Sequence, residues 1–115
     1  MTQGLALLLS LTVEVPAAAI FVFRRGWGSR VRAAGAALIG TLATHWLAWW
    51  LALTFINSTD YTLVFLGIET AVVLAEAVVY RFLIPLTLAR ALSTSLVANG
   101  CSATLGLLLS ALDWA

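Results

Sequence analysis

Three glutamates stand where an ionised carboxyl is expensive. Glu14, Glu69 and Glu76 lie inside long apolar runs, and a charge at the centre of a bilayer costs from about 2.5 kcal/mol on insertion scales to more than 10 in simulations. Ionisable groups at such depth mark proton or cation pathways, or polar contacts that a fold requires. The single histidine, His45, is also embedded in an apolar run, as are Asn99 and Ser102. Carboxyl and imidazole groups exchange protons, while amide and hydroxyl groups hydrogen-bond to them. Glu14, His45, Glu69, Glu76, Asn99 and Ser102 are therefore expected to form a transport, proton-relay or ligand site.

Each of these residues also has a plainer reading. A lone histidine in a helix bundle is ordinarily a hydrogen-bonded packing residue. Asn99 and the hydroxyls can be interhelical bonds worth about 0.6–2 kcal/mol each. Glu76 can pair with Arg81 or reach toward the interface. Glu14 and Glu69 have no arginine within a turn or two, so their structural role would be a protonated carboxyl bonded to His45 or Asn99. Glu14, His45 and Glu69 also offer oxygen and nitrogen donors to a metal. With one histidine and no His-Glu-x-x-His or Glu-x-x-His spacing, however, no metal centre is expected. Nor is there a phosphate loop, nucleophile elbow or cofactor fingerprint, so no cofactor is expected and catalysis is not favoured. Cys101 cannot form an internal disulfide and reads as a small packing residue.

Composition says what must carry these groups. The 115 residues are 63% apolar and only 10% charged, with no lysine and a mean hydropathy of +1.05. Soluble domains hold about 45–50% apolar and 25% charged residues, so a soluble fold is excluded, and disorder needs the opposite composition. A net charge of +1 without a basic stripe excludes a nucleic-acid partner. About 20 apolar residues span about 30 Å of hydrocarbon, which leaves room for four helices. The runs are 5–23, 33–56, 61–80 and 91–112, giving an all-α, polytopic four-transmembrane-helix bundle in a single transmembrane domain, 1–115.

Orientation follows from the arginines. Arg24, Arg25, Arg30 and Arg32 separate the first two runs, and Arg81 and Arg90 the last two. All six fall on one side, with Asp60 and Asp113 on the other. The excess of basic residues in cytoplasmic loops predicts a multi-pass plasma (inner) membrane protein with both termini on the non-cytoplasmic side. Trp49, Trp50, Tyr61 and Trp114 would mark the outer interface, and Trp27 and Tyr80 the inner one. The segment 82–89 is too apolar for a solvated loop and contains Pro85, so it is expected to lie along the inner interface or to extend the third helix with a kink. Ala17-Ala18-Ala19 resembles a signal cleavage site, but the run lacks a basic start and carries Glu14, so cleavage is not expected. Asn57-Ser58-Thr59 reads as an interhelical turn.

The two halves echo one another. Thr41-Leu42-Ala43-Thr44-His45 resembles Ser95-Leu96-Val97-Ala98-Asn99, and Glu14 corresponds to Glu69, which suggests a parallel two-hairpin repeat. Counting about 1.5 Å per residue from the outer ends puts Glu14, His45, Glu69 and Ser102 at roughly 12–15 Å, with Asn99 and Glu76 at roughly 19 and 22 Å. Seven-residue spacing aligns Glu69, Val73, Glu76 and Tyr80 on one face, Ser95, Asn99, Ser102 and Gly106 on another, and Ala37, Thr41, His45, Ala48 and Ala52 on a third. Pro16 would free the Thr12 carbonyl near Glu14. An interior polar pocket is expected, serving a proton- or cation-coupled transporter or channel component. The alternative is a non-catalytic accessory subunit whose polar groups bind partner helices, lipid or pigment. Beyond the lipid bilayer, the expected partners are further copies of the chain in a homo-oligomer or the other subunits of a membrane complex.

Overall fold

In a computed structural model, which describes residues 2–55, 57 and 60–112 (Tyr61 by its backbone alone), the chain forms four α-helices. They are α1 Gln3–Arg24, α2 Arg30–Thr54, α3 Tyr61–Leu83 and α4 Leu88–Ala111, and each is long and apolar enough to cross a membrane. Among the described residues there is no strand. Ser58, Thr59, Asp113 and Trp114 lie outside the described residues, so the expected turn at Asn57-Ser58-Thr59 and the expected outer positions of Asp113 and Trp114 are not placed. The molecule measures 42 × 24 × 19 Å. Its long axis matches helices of 22–25 residues at about 1.5 Å per residue.

Helix ends are set by capping. Asn-, Ser- and Thr-type side chains satisfy the amides that the first turn leaves free. Thr2 accepts from Leu5 N (3.1 Å), Ser29 from Arg32 N (3.1 Å) and Thr87 from Arg90 N (3.3 Å). Capping by Ser29 and Thr87 starts α2 and α4 three residues before the apolar runs at 33 and 91. The end of α1 is a Schellman turn. Gly26, at φ 69°, turns the chain while Gly26 N bonds Phe23 O (3.1 Å) and Trp27 N bonds Val22 O (3.0 Å).

The connection at 82–89 differs from the expected interfacial segment. Helix α3 runs on to Leu83, and Ile84 is extended (φ −119°, ψ 136°), the conformation favoured before a proline. Ile84 and Leu86 then turn inward and are buried, while Pro85 faces out. Arg81 fastens this turn by donating to Leu86 O at 2.8 Å. The segment is apolar because two of its side chains enter the core.

Contacts run α1–α2, α2–α3, α3–α4 and α4–α1, and among the described residues neither diagonal pair of helices meets. The helices thus form a four-membered ring. Its core lies in the half nearer the arginines: Ala18, Val22, Ala33, Ala36, Ala37, Tyr80, Ile84, Leu86, Ala91 and Ala98 pack together there. Alanine on α2 and α4 lets each pack closely against its neighbours in the ring, and Tyr80, expected at the inner interface, is instead buried in this core. Toward the Asp60 end the inward faces open. His45, Ala48, Ala52 and Glu69 are half-buried, and Gly106, on the inward face of α4, is exposed.

Candidate functional site

Two of the three glutamates meet at the top of this core. Glu14 from α1 and Glu76 from α3 are 4% and 1% exposed, and Thr41 of α2 stands between them. The Thr41 hydroxyl lies 3.1 Å from Glu76 Oε1 and 3.5 Å from Glu14 Oε1. Helix direction explains the meeting. Side chains lean toward the start of their own helix, so Glu14 and Glu76 lean toward the Asp60 end, whereas Thr41, on an antiparallel neighbour, leans toward the arginines. Gly40 supplies the room: a Cβ there would lie 3.3 Å from Glu76 Cγ and 3.4 Å from Oε1.

Helix α4 closes the cluster. Asn99, 5% exposed, lies beside the Glu76 carboxyl and donates its amide to Ser95 O (2.9 Å) and Ser95 Oγ (3.3 Å). Ser95 in turn donates to Val73 O of α3 at 2.7 Å. Ser102 stands beside Glu14 and pairs with Ser10 at 3.5 Å. Those two serines face a cavity of about 120 Å³ between α1 and α4, lined also by Ala6, Leu9, Leu105, Gly106 and Leu109. Glu76 Oε2 is buried with no hydrogen-bond partner among the described residues.

His45 and Glu69 are not in this cluster. The His45 ring is half-buried and stacks on Trp49 of its own helix, with 6.1 Å between centroids, and its Nε2 has no partner among the described residues. Glu69 is half-buried and is an electrostatic neighbour of both Glu14 and Glu76, but it makes no hydrogen bond among those residues. Glu14, His45 and Glu69 therefore do not assemble as metal ligands, and no other three His, Cys, Asp or Glu side chains of the described residues do. Three further expectations are corrected. Arg81 is exposed and bonds Leu86 O, so it is not the partner of buried Glu76. Thr12 and Pro16 lie on the exposed face of α1, which takes the freed carbonyl away from the pocket. Cys101 is exposed rather than packed inside.

Thr41 is the residue that sequence reasoning left outside the site. It lies on the small-residue face of α2, one turn from His45, and its hydroxyl was visible there as part of the echo. The packing itself has an echo of a different register. Buried Glu14, Ala18 and Val22 on α1 have the spacing of Glu76 and Tyr80 on α3 and Ile84 just past its end. Ala33, Ala36, Ala37, Gly40 and Thr41 on α2 have that of Ala91, Thr94, Ser95, Ala98 and Asn99 on α4. By position in the ring, Glu14 answers to Glu76 and Thr41 to Asn99.

A hydroxyl has one proton to donate and two lone pairs with which to accept. Thr41 can share its one proton between both carboxyls, or donate to one and accept from the other when that other is itself protonated. In the second case the three groups form a chain, carboxyl to hydroxyl to carboxylate, which can run in either direction. Fold and site define a class: a small all-helical protein with four helices able to cross a membrane and a carboxyl–hydroxyl–carboxyl chain in its interior. No family profile, curated protein or solved structure matches the chain.

Proposed function

We propose that this protein is a proton-conducting or proton-coupled transport component of the plasma (inner) membrane, with both termini on the non-cytoplasmic side and its arginines in the cytoplasm. The observation that carries the reading is the single Thr41 hydroxyl 3.1 and 3.5 Å from two buried carboxyls, an arrangement that a proton held on one carboxyl would complete with two full hydrogen bonds. Intramembrane carboxyls of this kind serve as proton relays. Entry from the outer side would run through the cavity beside Ser10 and Ser102 to Glu14, then across Thr41 to Glu76. The two hairpins are read as a parallel repeat about an axis along the membrane normal, which would place Glu14 and Glu76 in equivalent positions. The test is proton flux into proteoliposomes containing a pH-sensitive dye under an imposed membrane potential. Flux should fall at least tenfold in Glu14→Gln and in Glu76→Gln. Flux no greater than that of empty liposomes, or full flux in both variants, would overturn the assignment.

A second reading, an accessory subunit or oligomer, is favoured by His45 and Glu69. Both sit half-buried within apolar helices at the open end of the bundle, where His45 Nε2 and the Glu69 carboxyl have no hydrogen-bond partner among the described residues, and polar groups at membrane depth are costly unless another helix satisfies them. Mass measurement after mild detergent extraction tests this. A complex that Glu69→Gln dissociates supports it, and a monomer for both forms refutes it.

A further inference from the structure

The six arginines gather at one end of the bundle, and among the described residues none forms an ion pair with a carboxylate. Arg24, Arg25 and Arg81 sit at helix C-terminal ends, where the dipole favours a cation, but the other three run against it. The start of a helix carries partial positive charge and ordinarily attracts Asp or Glu. Yet Arg30 and Arg32 lie in the first turn of α2 and Arg90 in that of α4, and no helix has an acidic residue in its first turn.

Within this end, two guanidinium groups converge on one indole. Arg90 from α4 lies 5.2 Å from the centroid of the Trp27 ring, and Arg25 from the end of α1 lies 5.7 Å from it. Arg25 also lies 5.4 Å from the Phe21 ring, which meets Trp27 edge to face at 5.4 Å. The two cations are thus held less than about 11 Å apart by a fixed aromatic platform. Trp27 is itself fixed, through its backbone bond to Val22 and its packing against the core. Rings attract each cation singly but do nothing to relieve repulsion between them. Arginine presents a planar fork of donors suited to phosphate oxygens.

We propose that Arg25 and Arg90, seated on Trp27, bind the phosphate of an anionic phospholipid headgroup. The source is a membrane lipid because the pair lies at the ends of four helices long enough to cross a bilayer, where headgroup phosphates are concentrated and the acyl chains can lie along the exposed face near Phe23 and Val31. The site is independent of the proton reading, since it lies outside the carboxyl cluster.

Native mass spectrometry of the full chain in a neutral detergent tests the proposal, with phosphatidylglycerol and phosphatidylcholine of identical acyl chains titrated separately. The wild-type protein should retain phosphatidylglycerol at concentrations at least tenfold lower than phosphatidylcholine. Arg25→Gln/Arg90→Gln should lose that preference at unchanged helicity, and Arg24→Gln/Arg32→Gln should keep it. Equal retention of the two lipids by the wild type would overturn the proposal. Equal loss in both double variants would do so too, because the attraction would then be diffuse charge rather than a site. In a third titration, inorganic phosphate that displaces phosphatidylglycerol at equal concentration would overturn the lipid source.

Discussion

Replacing Thr41 by valine keeps the shape of the side chain and removes its only polar atom. The structure gives the size of the effect. Two interhelical contacts are lost, at 3.1 and 3.5 Å. Hydrogen bonds between membrane helices average about 0.6 kcal/mol and reach about 1.7, and a buried acceptor left unpaired costs about 1–3 kcal/mol. Glu76 Oε2 already lacks a partner, so the variant strands both oxygens of that carboxyl. Thr41→Val should therefore lose about 1–3 kcal/mol of stability, measured by reversible unfolding in mixed detergent micelles with helicity as the signal. Thr41→Ser should lose less than half as much. If the hydroxyl also carries the proton, a barrier raised by 2 kcal/mol slows transfer about 30-fold, and serine should restore the flux. A valine variant with the stability and flux of the wild type would refute the reasoning, since the hydroxyl would then be neither brace nor relay.

Gly40 and Gly26 test the frame around the site. Gly40→Ala brings a methyl group to 3.3 Å from Glu76 Cγ and should destabilise by about 1–3 kcal/mol through overpacking, whereas Gly35→Ala, with nothing within 4 Å, should be neutral or stabilising in the same unfolding assay. Gly26→Ala meets no atom within 4 Å but keeps φ at 69°, so a loss of about 1–2 kcal/mol is expected from the backbone alone, with Gly26→Asn losing less.

The helices were legible in the sequence because apolar runs long enough to cross a bilayer are separated by Arg24 to Arg30, Asn57 to Asp60 and the Pro85 region. Their starts were displaced because hydropathy ignores capping: Ser29 and Thr87 extend α2 and α4 beyond the apolar residues. The inward turn at Ile84 and Leu86 was hidden because a buried connection and an interfacial one have the same composition. At the site, helical phase placed Glu76, Thr41, Asn99 and Ser102 on inward faces. Depth counting instead grouped Glu14 with His45 and Glu69 and set Glu76 deeper. That count takes every helix to begin at one level and every side chain to extend straight out. The opposite lean of Thr41 and Glu76, and the room left at Gly40, bring partners together across the levels that counting assigns.

A ring of four helices joined only along its sides is, mechanically, a hinged parallelogram. It resists stretching of any side, but it shears easily unless something spans a diagonal. In this ring α1 and α3 are opposite corners whose backbones do not meet, and the chain Glu14–Thr41–Glu76 is a polar strut across that diagonal. On the proton reading, the strut is sound while one proton is shared along it. Removing that proton would place two negative charges at opposite corners with a single hydroxyl between them, and the same diagonal would then be under compression from within. Chemical occupancy and the cross-section of the bundle would in this way be one mechanical variable.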